Sequence, residues 1–128
     1  MNRNTKITLK ELMARKEQML EAKKNIKTKD LYVKSLDGLI TIQALEKSVI
    51  AEAQEMKSVD ADAYAVYQSV IEPPLKAAEL QKEFGCVEPL EIVDKIFEPG
   101  EISQIAVEIL KISGYEVESV TAIDDLKN

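Results

Sequence analysis

Four carboxylates, Glu88, Glu91, Asp94 and Glu98, follow one another at intervals of three or four residues, a spacing that would set them along one side of an α-helix. Gathered this way they could serve acid–base chemistry or hold a hard cation through oxygen ligands. Iron or zinc chemistry needs imidazole or thiolate partners as well, and the chain has no histidine and a single cysteine, Cys86. Lys95 stands four residues after Glu91 and gives the carboxylates the ordinary partner of a solvated helix. The expectation is therefore no metal and no cofactor. Asp60-Ala61-Asp62 has the spacing that opens a calcium loop, yet the glycine and the distant glutamate of such a loop are missing, so it reads as a helix cap. Cys86 has no histidine to act as its base and reads as a small packed residue. Ser-His-Asp and Cys-His arrangements are excluded by composition, and no glycine-rich phosphate cradle occurs. The chain reads as a non-enzyme. Tyr64 and Tyr67, three apart, suit either a contact surface or a core stripe.

The elements that would carry these residues are mostly helical. Thr8-Leu9-Lys10-Glu11 has the form of a capping box, in which a threonine hydroxyl and a glutamate side chain satisfy free amide donors. It predicts a basic N-terminal helix within residues 1–29, with a narrow apolar face interrupted by Lys16 and Lys23. A β-hairpin is predicted near residues 31–42, where Asp37-Gly38 joins two β-rich runs and both turn residues are expected at positive φ. Helices are expected over 44–57 and from Asp60 to the Pro73-Pro74 break, then over 75–84 with Gly85 as the stop. Pro89 and Pro99 each mark a further helix entry. The second of these carries Ile102, Ile105, Ala106, Ile109 and Leu110 before Gly114. Residues 115–128 read as a weakly ordered tail with a short helix over 120–126. The fold class expected is a mainly α, single small helical domain of residues 1–128 with one β-hairpin.

Composition fits that reading: 128 residues, 45% hydrophobic and 31% charged, with only four glycines and four prolines, enough for one core and unlike a disordered chain. No apolar run reaches the length of a membrane span and no signal peptide is evident, so a soluble protein without membrane contact is expected. The net charge of −6 is uneven: residues 1–34 carry +6 and the remainder −12. A basic arm on an acidic body allows an alternative reading as a small regulatory or nucleic-acid-binding module. Aromatic residues among the basic ones are missing apart from Tyr32, which argues against nucleic acid.

One long stretch is recognisable: Val66 to Pro73 (VYQSVIEP), then Glu79 to Pro89 (ELQKEFGCVEP), then Ile92 to Ile102 (IVDKIFEPGEI). It resembles the XkdN-like phage tail assembly chaperones of contractile-tailed phages and prophages of Gram-positive bacteria, and the likeness spans roughly residues 8–113. The resemblance implies a non-enzymatic assembly factor in the host bacterial cytoplasm, absent from the mature virion. Its implied partners are the tape measure protein and tail tube subunits, with room for a homo-oligomer. The family brings no catalytic residues. An apolar helical client needs an apolar surface, and Val107 and Ile112 are expected to fall away from the α-helical stripe around Ile105 and remain free for it. With Tyr64 and Tyr67 they are the candidate partner-binding residues.

Overall fold

The computed structural model describes residues 5–116 and 118–123. The chain divides into two compact units, residues 1–26 with 117–128, and residues 27–116.

The smaller unit opens with the expected capping box. The Thr8 hydroxyl accepts from the Glu11 amide at 3.2 Å, and the Glu11 carboxylate accepts from the Thr8 amide at 3.1 Å. The single basic helix expected here is two helices, α1 (Leu9–Ala14) and α2 (Lys16–Lys24). They are divided at Arg15, whose ψ of 0° opens the helix by one step and whose amide is shared between the Glu11 and Leu12 carbonyls. Neither helix contains a buried residue, and Leu9, Met13 and Leu20 are exposed. Residues 120–123 form no helix. The rest of the helix expected over 120–126 lies outside the described residues.

The larger unit begins with β1 (Thr28–Val33), a single 3₁₀ turn (Lys34–Leu36) and β2 (Gly38–Gln43), paired antiparallel from Thr28 opposite Gln43 to Val33 opposite Gly38. The hairpin is where the sequence put it, but its turn is not the primed type. Asp37 alone takes positive φ, at 47°, and Gly38 already lies in the strand. The loop holds four residues, so the turn is a helical one closed by a left-handed aspartate. The Tyr32 hydroxyl donates to the Asp37 carboxylate at 2.7 Å and ties down that residue.

Helices α3 (Lys47–Gln54) and α4 (Ser58–Ser69) follow, with Lys57 rather than Asp60 at the cap of α4. Asp60 sits inside the first turn, where its charge favours the helix dipole without a capping bond. The chain then forms β3 (Val70–Glu72), which pairs antiparallel with β2 and gives the sheet the order β1-β2-β3. The fold is thus helix-dominated α/β with a three-stranded sheet, not a helical domain with a lone hairpin. The Glu72–Pro73 peptide is cis. Three helices complete the unit: α5 (Ala78–Glu83), α6 (Glu91–Ile96) and α7 (Pro99–Ile112). Both Gly85 and Gly114 take positive φ, and the amides of Cys86 and Tyr115 reach back five residues to the Gln81 and Leu110 carbonyls. These are the paired bonds with which a helix closes on a glycine.

The core joins Val33, Ile40 and Ile42 of the hairpin to Val66 of α4, Leu75, Ile92 and Val93 around α6, and Ile102, Ile105 and Ile109 of α7. Among the described residues one polar residue is fully buried, Ser69 at the end of α4. Its hydroxyl donates to the Gln43 carbonyl at 2.6 Å and accepts from the Gln43 amide at 3.2 Å. It therefore stands in for a strand residue and extends the β2–β3 ladder by one rung. Ser69→Ala leaves both Gln43 backbone groups without that partner and should lower unfolding free energy by about 1 to 3 kcal/mol. Chemical denaturation measures it, and an unchanged midpoint would contradict the role given to Ser69.

Candidate partner-binding surface

Two of the four carboxylates that could have made an acidic site, Glu91 and Glu98, are engaged at helix starts. Glu91 opens α6 by accepting from the Val87 and Glu88 amides at 3.2 and 3.0 Å, and these backbone bonds, that to Glu88 first, hold its carboxyl below the usual range. Glu98 and Glu101 cap α7 reciprocally around Pro99. Glu88 and Glu98 lie outside α6, so the four groups do not share one helix face. Asp94 and Asp62 both line a hollow of about 380 Å³ with Ser58 and Ser103. Burial pushes the Asp62 carboxyl up. No group of three metal-ligating side chains occurs among the described residues. Cys86 is half-buried and packs against the core.

The surface that stands out is built on α7. Its N-terminal end is bound to the hairpin turn by Glu101, whose carboxylate accepts from the Ser35 amide at 3.0 Å and the Ser35 hydroxyl at 2.7 Å. Its middle is bound to β1 by the Lys29–Glu108 pair at 2.9 Å. Its C-terminal end accepts the Leu45 amide on the Ser113 hydroxyl at 2.9 Å. Between helix and strand these links leave a groove of about 460 Å³, walled by Leu31, Tyr32 and Val33 on one side and Ile105, Val107 and Glu108 on the other. A smaller hollow of about 100 Å³ opens on the other flank of α7, among Ile50, Ala53, Ala65 and Leu110. The exposed side of α7 is thus a ridge between two depressions.

Val107 is 51% exposed and sits on that ridge. Ile112 is partly buried and packed against the core, whereas Leu110, expected within the stripe, is 38% exposed. The cause is helical phase: Ile112 lies seven residues from Ile105 and three from Ile109 and returns to their side, while Leu110, one past Ile109, is turned about 100° away. Tyr67 packs against the core, under the Lys76 ammonium at 5.4 Å from its ring. Tyr64 is half-buried and its hydroxyl donates to Glu52 at 3.2 Å. The structure does not bring the two tyrosines into the groove that Val107 lines. Sequence reasoning missed Leu110 and the strand wall of the groove; the phase of the α7 stripe could have found the first.

No helix among the described residues is long and apolar enough to cross a membrane. The fold is helix-dominated α/β, with Glu91, Glu98 and Glu101 engaged at helix starts and the exposed Val107 and Leu110 of α7 each lining an open depression. The chain belongs to the phage XkdN-like tail assembly chaperone family, whose family model matches residues 9–127. A crystal structure of the protein yqbn, a structural genomics target, is similar in fold, with a TM-score of 0.55 and 17% identity over 72% of this chain and 88% of that one. No curated protein matches in sequence.

Glu101 ties the start of α7 to the hairpin turn at one end of the groove. Hydrogen bonds from the Glu98 amide, then from Ser35, hold its carboxyl below the ordinary glutamate value of 4.5. A depressed pKa contributes stability above the unfolded value and loses it as pH falls through the folded one. The fall in melting temperature between pH 7 and about pH 3.5 should therefore be smaller in Glu101→Gln than in the wild type. Thermal unfolding at a series of pH values measures the difference, and identical pH profiles would remove Glu101 from the account.

Proposed function

We propose that this chain is a non-enzymatic chaperone that keeps an apolar helical segment of the tape measure protein soluble while the tail tube assembles. It acts in the host bacterial cytoplasm and is left out of the finished virion. Membership of the tail assembly chaperone family supports the role. The observation that carries the reading is the ridge of α7, where Val107 and Leu110 stay exposed three residues apart on a helix whose other side is buried. Residues at that spacing share a face and meet a partner helix together.

A long helical client presents apolar stripes that would otherwise associate with one another. A ridge of two residues covers little area, which keeps each contact weak and lets tube subunits displace it. The acidic balance of residues 35–128 keeps the complex dispersed. Tail tube subunits are a second partner in this scheme, met at the moment of exchange. The test is co-expression of the tape measure protein with the wild type and with Val107→Glu/Leu110→Glu, both residues being exposed enough to change without emptying the core. The wild type should keep the client in the soluble fraction and the double variant, folded by circular dichroism, should release it to the pellet. A variant as effective as the wild type would move the surface elsewhere. A wild type that never holds the client would end the chaperone reading.

A further inference from the structure

β1 is an edge strand, with β2 on one side and, among the described residues, no strand on the other. Its ladder fixes which backbone groups are spare. The Ala44 amide donates to the Lys27 carbonyl at 2.8 Å, in the register that sets Thr28 opposite Gln43. Alternation along an antiparallel ladder then gives Lys29, Leu31 and Val33 to β2 and turns the N–H and C=O of Thr28, Asp30 and Tyr32 to the open side. Among the described residues nothing hydrogen-bonds to these six groups, and all three residues are exposed.

Directly beside this edge lies the groove between β1 and α7. Leu31 and Val33 share the inward face of the strand, as does Lys29, which reaches across to Glu108. A strand laid against the edge would send alternate side chains into the groove, against Leu31, Val33, Ile105 and Val107, and the others out beside Tyr32. Spare backbone groups next to a pocket for every second side chain are what strand addition requires.

Charge selects the occupant. Both carboxylates in the groove are already engaged, Glu101 by Ser35 and Glu108 by Lys29 and Lys111. Lys27, just before the strand, and Lys34, just after it, have no ion pair among the described residues. The two ends of the edge are therefore positive and without an ion pair among the described residues, while the Asp30 carboxylate between them accepts from the Thr41 hydroxyl at 2.7 Å. A second copy of β1 would bring more such cations to the same seam, and edge lysines act against that pairing. An incoming strand with acidic residues at its ends would neutralise them.

We propose that the β1 edge binds an extended, acidic peptide segment as a fourth strand of the sheet, with its alternate apolar side chains seated in the groove between β1 and α7. This does not depend on the helical client of the α7 ridge and stands if that client is wrong. The probe is the blocked synthetic peptide Asp-Val-Thr-Val-Thr-Val-Asp, titrated into the full chain, with a lysine-ended peptide of the same core beside it. Binding should be saturable and should slow amide exchange at Thr28, Asp30 and Tyr32, whose N–H groups are otherwise open. The lysine-ended peptide should bind about tenfold more weakly, and Lys27→Glu/Lys34→Glu should reverse the preference. Failure to bind would overturn the proposal, as would equal affinity for the two peptides on the wild type. So would binding that leaves the three amides exchanging freely, the result expected of a helix or any other occupant lying in the groove alone. The peptide comparison on the wild type carries the test if the charge-reversed variant does not fold.

Discussion

Which side of α7 is buried is the constraint from which the accessible surface of residues 27–116 follows. Ile102, Ile105 and Ile109 sit in one core with Val66 of α4 and Ile40 and Ile42 of the sheet. Truncating any one of these isoleucines to alanine would cost about 2 to 5 kcal/mol, a large share of what holds a small domain together. With that stripe fixed, helical phase leaves no freedom for the rest: Ile112 turns inward, Val107 and Leu110 turn outward, and the flank carrying Glu101 and Glu108 faces the hairpin. The polar links between α7 and the hairpin act after this choice. The Lys29–Glu108 pair is partly exposed on both sides, and such a pair contributes about 1 kcal/mol at most. It sets the separation of strand and helix; it does not decide that they pack.

The hairpin is held to α7 at its turn, along β1 and just past β2, through Ser35, Lys29 and Leu45. The groove between them is consequently preformed, with one wall a helix ridge and the other a strand edge. The two proposed modes of contact, apolar packing on α7 and backbone pairing on β1, would lie side by side. Neither requires the chain to reorganise, which suits partners that must be held briefly and then given up. The carboxylates complete the picture from the other direction. Glu91, Glu98 and Glu101 are all spent on helix starts, so an acidic composition here builds ends of helices before it builds a site.

Much of this was legible in the sequence wherever the signal is local. Thr8 with Glu11, Pro99 as a helix entry, and the glycines at 85 and 114 each act within five residues, and each appears where the residues placed it. The signal failed where pairing is distant. Val70 and Ile71 fit the end of a helical stripe as well as a strand, and only β2, some 30 residues earlier in the chain, turns Val70–Glu72 into β3. Ser69 gave no warning for the same reason: its importance lies in Gln43. Asp60 and Pro89 looked like helix starts, but the helices begin at Ser58 and Glu91. Of the candidate surface, Val107 was visible as a residue off the stripe. Ile112 is partly buried and Leu110 exposed, the reverse of the expected stripe, because a helix turns 100° per residue. The β1 edge could not be seen at all, since an edge is defined by the strand that is missing beside it.

The proposed chaperone accompanies the tape measure protein and then leaves. Quantitative mass spectrometry of tape measure complexes captured before tube polymerisation, set against purified finished particles from the same cells, measures this most directly. The chain should be abundant with the tape measure protein in the first and absent from the second. Its presence in finished particles at a fixed ratio to tube subunits would make it a structural component of the tail and contradict the account.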